Sequence, residues 1–242
     1  MSKKRPKLTR ARIIRGKGGV PIRTILEHNY VRPTGSTISV KCGAAFPWEA
    51  RDEARLMWIS EVDYRVHSYL PQPFRMEFDL TDGSTLTYIP DLERITENDV
   101  EINEVKRTAG EATRDPDYRF KLYLAKMVCA LRGWKFRVVS AEDEIRQEPL
   151  LSNARRVRYH RLTQLQSLDY LRLGEAAAQK SGLLTWGETV AVVGGCDDPW
   201  DVNGFAKLCA LIVRRHVYVD LALPIAPTRL VMLAEYIRAS EN

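Results

Sequence analysis

The chain has 242 residues, of which 45% are hydrophobic and 28% charged, and its formal net charge is +6. This composition excludes disordered, fibrous and disulfide-scaffold proteins, and the sequence lacks the run of about 18–20 apolar residues that a transmembrane helix needs. Four scattered cysteines without a CxxC pair and four scattered histidines argue against zinc and HExxH-type sites. The N-terminus lacks the apolar stretch of a secretory signal, so we expect a cytoplasmic protein with no membrane contact.

Residues 1–36 are predicted to form a basic N-terminal arm. Nine Lys and Arg residues and no acid lie within residues 1–23, so the rest of the chain carries a small net negative charge. A mobile basic arm suits a polyanion such as nucleic acid, because each neutralised phosphate releases counterions. The alternative is a tail that only keeps the protein soluble. Lys3, Lys4 and Arg5 are therefore candidate contacts for DNA.

Residues 37–148 are predicted to form one mixed α/β domain. A long helix begins at Trp48 and ends near Tyr69, before two prolines. An Asp-Gly turn over Thr81–Ser84 then indicates a hairpin. From the first helix onward the order is α-β-β-β-α-β. The remaining predicted elements are strands at Thr37–Lys41, Phe74–Leu80, Thr85–Ile89, Val100–Lys106 and Trp134–Ser140, and a helix at Tyr118–Leu131.

Residues 149–242 are predicted to form a second, mainly helical domain, with the boundary near residues 145–152. Thr185 is a good N-cap, and Glu188 three residues later completes a capping box. Three helices followed by a strand or hairpin indicate a helix-turn-helix or winged-helix module. The predicted elements are helices at Leu162–Gln179, after Thr185 and at Pro199–Arg214, and a strand at His216–Leu223.

The residues most suggestive of chemistry are Pro90-Asp91 and, thirteen residues after Asp91, Glu104-Val105-Lys106. Glu104 and Lys106 are two apart on a predicted strand, so both side chains point to one face while Val105 points into the core. If the strand that ends near Asp91 is a neighbour, two carboxylates and one ammonium converge. Two acidic oxygens suit Mg²⁺, which activates water and neutralises charge on a scissile phosphate. A lysine beside them can orient the attacking water or help deprotonate it, and can stabilise the transition state.

This arrangement resembles the PD-(D/E)xK nucleases, whose restriction-endonuclease-like core has the order α-β-β-β-α-β. A longer set of segments is similar to the TnsA endonuclease family, the nuclease subunit of heteromeric bacterial transposases. Asn153–Tyr159 and Leu184–Glu188 resemble the C-terminal winged-helix region of that family. The segments that carry the resemblance in the first half of the chain are Ser60–Tyr64, Tyr69–Phe74, Tyr88–Asp91 and Asn103–Lys106.

The resemblance implies a role for each candidate residue. Glu61 is the acid from the first helix, Asp91 the bridging metal ligand, Glu104 the second strand ligand and Lys106 the catalytic lysine. Val105 supplies a backbone carbonyl as a further ligand. Some family members have Gln where this chain has Glu104, and the glutamate matches the general nuclease signature. The implied cofactor is Mg²⁺, with Mn²⁺ as its substitute.

The resemblance also implies a function and partners. The chain is expected to be a Mg²⁺-dependent endonuclease that hydrolyses phosphodiesters at the 5′ ends of a transposon in double-stranded DNA. It would work with a separate DDE-type transposase subunit and engage an ATP-dependent transposition regulator through its C-terminal domain. The alternatives are a stand-alone restriction or phage-defence nuclease of the same fold, and a non-catalytic DNA-binding or bridging module.

Each candidate also has a structural explanation. Asp91 could simply begin a turn after Pro90, and Glu104 with Lys106 could be an ion pair on an exposed strand, which contributes little stability. Glu61 shares its helix with other acids, Glu49, Glu53 and Asp63, which is the pattern of a solvated acidic face. The remaining candidates form a basic cluster that could contact phosphates or pair with the acids at 142–148: Arg155, Arg156, Arg158 and Arg161.

Overall fold

The computed structural model describes residues 5–22 and 34–240, and these form a mixed α/β protein with two compact units. The first unit comprises the described residues of Met1–Ile38, Ala44–Met57 and Val66–Arg146. The second comprises those of Ser39–Gly43, Trp58–Arg65 and Gln147–Asn242. Within the described ranges, no helix is both long enough and apolar enough to cross a membrane.

The elements of the chain up to Arg146 are mostly strands. Helix α1 is shared, because its residues as far as Met57 belong to the first unit and the rest to the second. Turns of 3-10 and π type cover Lys17–Gly19 and Ala141–Ile145. The strands and helices are β1 (Leu8–Arg15), β2 (Gly35–Ser39), β3 (Ala44–Trp48), α1 (Arg51–Val62), β4 (Val66–Pro71), β5 (Phe74–Leu80), β6 (Thr85–Tyr88), β7 (Leu92–Thr96), β8 (Val100–Lys106), α2 (Glu111–Arg114), α3 (Pro116–Leu131) and β9 (Lys135–Ser140).

Two sheets surround the core of the first unit. One has four strands in the order β4-β7-β8-β9, antiparallel except for the parallel pair β8 and β9, which α3 connects. The other is antiparallel, in the order β1-β5-β6. Alternate residues of β5 point inward, as its sequence pattern requires, and pack with Ile102 of β8 and the apolar face of α3.

The pairing of β7 with β8 positions the candidate site. Leu92 lies opposite Asn103, so Asp91, which precedes β7, is next to the end of β8 that carries Glu104. The Asp91 N–H donates to the Asn103 carbonyl at 3.1 Å. The strand adjacent to β8 is thus β7, whereas the sequence suggested the second strand of the hairpin, β6.

The second unit is mainly helical and has its own core. A small antiparallel sheet, β10-β12-β11, accompanies the helices, and Trp186 and Leu208 are fully buried among them. The predicted capping box of Thr185 and Glu188 is confirmed at the start of α6. The elements of this part of the chain are α4 (Leu150–Tyr159), α5 (Ser167–Ala178), β10 (Leu183–Thr185), α6 (Trp186–Gly194), α7 (Val202–Val213), β11 (Val217–Tyr218), β12 (Leu230–Leu233) and α8 (Ala234–Ser240).

The basic segment differs from the predicted arm. Residues 8–15 form β1, and Arg12 pairs with Asp79 of β5 at 3.0 Å while Arg15 pairs with Glu93 at 2.7 Å. Several positive charges of the segment are therefore neutralised by acids that lie more than sixty residues away in sequence. Lys3, Lys4 and residues 23–33 lie outside the described residues.

The first predicted helix is also too long. Helix α1 ends at Val62, and the residues expected to complete it form strand β4. Val62, Val66 and Tyr69 are apolar at spacings of three and four, which fits a helix, but they are a helix end and a strand. A short apolar run of this kind does not distinguish the two structures.

Candidate metal centre

Asp91 is fixed by backbone and side-chain hydrogen bonds in the loop between β6 and β7. Its carbonyl accepts from the Gln72 N–H at 2.9 Å, and its Oδ2 accepts from the Val105 N–H at 2.7 Å. Burial raises the pKa of the Asp91 carboxyl well above its usual range, and the nearby charges of Glu104 and Glu53 raise it further. Asp91 is therefore a carboxylate held close to two others.

Glu104 is buried and fully hydrogen-bonded, with 3% of its surface exposed. Its Oε2 accepts from the Tyr88 hydroxyl at 2.7 Å, and its Oε1 accepts from Lys106 Nζ at 2.6 Å and from the Tyr118 hydroxyl. Glu104 and Lys106 thus share a face, as predicted, but the face is not an exposed one.

The burial of the neighbouring residue is opposite to the prediction. Val105 was expected in the core, but it is partly exposed and lines a cavity, while Glu104 is buried. The reason is that Ile102 packs into the core. Glu104, two residues later on the strand, points to the same face and is buried with it. Val105 was also expected to offer its carbonyl, and the contact that the structure shows is from its N–H to Asp91.

Lys106 is held as an ammonium beside Glu104. Burial lowers its pKa, but the attraction of Glu104 and the hydrogen bonds it makes outweigh that effect and leave the pKa above its ordinary value. Its Nζ also lies 4.8 Å from the centre of the Tyr118 ring. A charged lysine in this position can orient a water molecule or stabilise negative charge on a phosphate.

A cavity of about 320 Å³ lies beside these residues in the first unit. The acid that α1 contributes to it is Glu53, whose pKa is raised by burial and by the charges of Glu49 and Glu104. The signal for Glu53 was present in the acidic run of the helix, but spacing alone did not distinguish it. The lining residues are Glu49, Ala50, Glu53, Gln72, Ile89, Asp91, Val105, Lys106, Arg107 and Glu111.

Glu61 occupies a different place from the one predicted. It belongs to the second unit and is 0% exposed. Ser39 Oγ donates to its Oε2 and the Val40 N–H donates to its Oε1, both at 2.7 Å. Both carboxylate oxygens of Glu61 thus have donors within the second unit, and the acid of α1 that lines the cavity is Glu53.

The carboxylate oxygens at this cavity are ligands of the kind that a hard divalent cation takes. Besides burial, the charge of Glu104 raises the pKa values of Asp91 and Glu53, and the charge of Glu53 raises that of Asp91, so a bound Mg²⁺ would relieve this repulsion. However, across residues 5–22 and 34–240 no group of three or more His, Cys, Asp or Glu side chains is already arranged to hold a metal. Glu104 already accepts three hydrogen bonds, so coordination of a metal by Glu104 would require it to exchange some of these partners.

A second cavity, of about 570 Å³, lies in the second unit and is rich in arginine. The Arg156 guanidinium lies 4.6 Å from the Phe205 ring centre, and that of Arg158 lies 5.1 Å from the Trp58 ring centre. Glu142 and Glu144 pair with Arg107 and Arg137 in the first unit. The lining residues are Trp58, Ser152, Arg155, Arg156, Arg158, Tyr159, His160 and Arg161, none of them acidic.

The N-terminal candidates for DNA contact are placed differently. Arg5 is held on α3, where it donates to the Pro116 carbonyl at 2.8 Å and lies 5.2 Å from the Phe120 ring centre. Lys3 and Lys4 lie outside the described residues. Of the predicted DNA contacts that the structure describes, Arg155, Arg156 and Arg158 line one cavity together.

No protein-family model matches the sequence, and no curated protein matches it. The resemblance to the TnsA family therefore stays a prediction.

Proposed function

We propose that this chain is a Mg²⁺-dependent DNA endonuclease of the PD-(D/E)xK type. The observation that carries the proposal is the meeting of Asp91, Lys106 and Glu53 at one cavity of the first unit, with the buried Glu104 bonded to Lys106 beside it. These residues come from a loop, a strand and a helix that are far apart in sequence. The proximity of these residues in the structure thus supports the nuclease motif that their spacing in the sequence indicates.

The architecture supports a restriction-endonuclease-like core. Strands β7 and β8 are antiparallel, and β8 continues through α3 into the parallel strand β9, with Asp91 and Glu104 at adjacent ends. The helices and small antiparallel sheet of the second unit are compatible with a winged-helix-like module. We propose both assignments on this basis, as the resemblance to the TnsA family implies.

The residues of the cavity divide into two groups by chemistry. Asp91, Glu53 and Glu104 would hold Mg²⁺, with the Val105 carbonyl as a further oxygen, and Mn²⁺ would substitute. When bound, the ion supplies activation of water and neutralisation of the phosphate charge. Lys106 would donate hydrogen bonds from its ammonium to orient the water, or stabilise the negative charge of the pentavalent transition state.

The partners proposed follow from the same resemblance. The substrate is double-stranded DNA at transposon ends, cut at its 5′ ends together with a DDE-type transposase subunit, in the cytoplasm. The arginine-lined cavity of the second unit would contact DNA phosphates through Arg155, Arg156 and Arg158. The same unit would engage the ATP-dependent regulator.

A titration with Mn²⁺ tests the metal site directly, because a cleavage assay would be silent if the partner subunit is required. Calorimetry or water-proton relaxation would compare the wild type, Asp91→Ala and Asp82→Ala, the last being an exposed carboxylate in the β5–β6 turn. We expect binding to the wild type and to Asp82→Ala but not to Asp91→Ala. Equal binding by all three proteins would place the site elsewhere.

A non-catalytic module is the second candidate, favoured by the three donors that already satisfy Glu104. It predicts that Asp91→Ala and Lys106→Ala preserve DNA binding and transposition. Loss of transposition or cleavage in folded variants would exclude it. Cutting of DNA by the purified chain alone would instead indicate a stand-alone restriction or phage-defence nuclease.

A further inference from the structure

Gln72 has an unusual backbone conformation beside the metal centre. It lies between Pro71 and Pro73 in the turn from β4 to β5, and its φ is +44°. A residue other than glycine rarely adopts a positive φ, and such conformations concentrate at functional sites. A glycine would form the same turn without strain. The turn itself therefore does not explain why a glutamine is present.

Two backbone hydrogen bonds fix this turn against the candidate site. The Gln72 N–H donates to the carbonyl of Asp91, and the Gln72 carbonyl accepts from the Ile22 N–H, each at 2.9 Å. The flanking prolines restrict the chain further on both sides. The Gln72 side chain consequently leaves the backbone at a defined point next to Asp91.

The side chain of Gln72 is buried in the wall of the first cavity. It is 9% exposed and lines the cavity together with Asp91, Glu53 and Lys106. Its Oε1 is buried and, among the described residues, no group donates a hydrogen bond to it. A buried carbonyl oxygen without a partner is unfavourable, so it is expected to have one in the functional state.

The chemistry of the cavity limits what that partner is. An amide oxygen accepts hydrogen bonds and coordinates cations, but it does not bind an anion such as a phosphate. Mg²⁺ and Mn²⁺ take oxygen ligands and keep part of their hydration shell, which neighbouring acceptors orient. Gln72 Oε1 has no hydrogen-bond donor among the described residues, and Gln72 lines the same cavity as Asp91 and Glu53, so a divalent cation is a suitable partner for this oxygen.

We propose that Gln72 Oε1 is a further oxygen of the divalent-cation site, acting on the ion directly or through its hydration shell. This inference rests on the proposed function, since it assumes that Asp91 belongs to a metal site. It gives a reason for the strained turn, which holds an uncharged oxygen where a further carboxylate would add repulsion to the acids that already line the cavity.

Three substitutions separate this role from a role in the turn. Gln72→Gly removes the side chain and relieves the positive φ, Gln72→Leu keeps a side chain of similar length without oxygen, and Gln72→Glu keeps an oxygen. If Gln72 serves only the turn, Gln72→Gly is neutral or stabilising and Mn²⁺ binding is unchanged in all three. The proposal instead requires weaker binding in the Gly and Leu variants.

The experiment is an Mn²⁺ titration of the full chain by water-proton relaxation, with thermal unfolding of each variant as the test of folding. We expect Gln72→Gly and Gln72→Leu to bind Mn²⁺ roughly 10- to 100-fold more weakly than the wild type, as for other outer-shell partners. Gln72→Glu should bind at least as tightly as those two. Because Gln72→Gly relieves strain, its weaker binding would not be explained by a damaged fold.

The outcomes distinguish failure of this inference from failure of the proposed function. Binding that is lost in Asp91→Ala but unchanged in Gln72→Gly and Gln72→Leu overturns the role of Gln72 and leaves the nuclease proposal intact. Binding that does not depend on Asp91, with and without duplex DNA, overturns both. Mn²⁺ binding that is unchanged while DNA binding weakens would mean that the amide contacts DNA, which also overturns the proposal.

Discussion

Two glutamates of one helix, Glu53 and Glu61, have different environments. The first lines an acidic cavity where burial and neighbouring charges raise its pKa, and the second is fully buried with donors on both oxygens. They are eight residues apart, about 12 Å along the helix axis, so the helix cannot bring both to one point. Only the packing of the helix decides which of them meets Asp91.

Glu53→Ala and Glu61→Ala should therefore have opposite effects. We expect Glu53→Ala to weaken Mn²⁺ binding at least about tenfold and to change stability little, because it removes an acid that its neighbours repel. Glu61→Ala leaves the Ser39 hydroxyl and the Val40 N–H without their acceptor and should cost about 1–3 kcal/mol. Urea unfolding and the Mn²⁺ titration measure the two effects, and the reverse assignment would contradict the placement of both residues.

Tyr88 gives a second prediction at the residue scale. Its hydroxyl donates to Glu104 Oε2, so Tyr88→Phe removes a hydrogen bond to a buried carboxylate and should destabilise the protein by about 1–3 kcal/mol. Tyr123→Phe is the matched control, because Tyr123 is 57% exposed. Equal unfolding midpoints in urea for the two variants would show that the Tyr88 bond contributes nothing.

Among the elements, strands with a clear two-residue period could be predicted and the others could not. Val100–Lys106 and Phe74–Leu80 have the predicted bounds, and in Phe74–Leu80 alternate residues are buried. Strand β7 was missed, since Leu92–Thr96 contains a glutamate and an arginine that are buried in the sheet. The spacing of Asp91, Glu104 and Lys106 predicted the candidate site. The hydroxyl donors to Glu104 come from β6 and α3, so they depend on the tertiary fold.

Strand β1 was not predicted from the sequence, because its basic residues suggested a solvated arm. Its eight residues include three arginines and a threonine, and the acids that pair with Arg12 and Arg15 belong to β5 and β7. Deletion of this segment distinguishes a mobile arm from a strand of the sheet, because only the loss of a strand lowers the stability of the protein. The sequence could not separate the two, because the pairing with β5 is a long-range contact.

Removal of residues 1–15 should therefore lower stability by about 1 kcal/mol or more, because β5 loses a paired strand and Ile13 leaves the core. Replacement of the exposed Lys7 and Arg10 by Gln tests charge without removing the strand and should leave the melting temperature unchanged. Thermal unfolding measures both. An unchanged melting temperature after truncation would support the arm.

For the molecule as a whole, the arginine cavity of the second unit predicts how DNA binding responds to salt. Each phosphate contact contributes a slope of about 0.9 in the logarithm of affinity against that of salt concentration. The double substitution of Arg155 and Arg156 by Ala should weaken binding of a duplex of any sequence and reduce the slope by up to about 2.

Fluorescence anisotropy over a series of NaCl concentrations measures that slope. Lys180→Ala is the control, since Lys180 is in the same unit, pairs with Glu188 and lies outside the cavity. An equal slope for the double variant, the control and the wild type would contradict a role of this cavity in binding phosphates.

The second unit contains residues from early and late parts of the chain, so its core can be completed only late in synthesis. The core of the second unit includes Val62 and is lined by Val40 and Ile59, yet most of that core lies between Ala154 and Leu233. On the ribosome, these early residues emerge long before their partners exist. A fragment that begins at Gln147 would lack them altogether, and its instability would reveal nothing about the activity of the second unit.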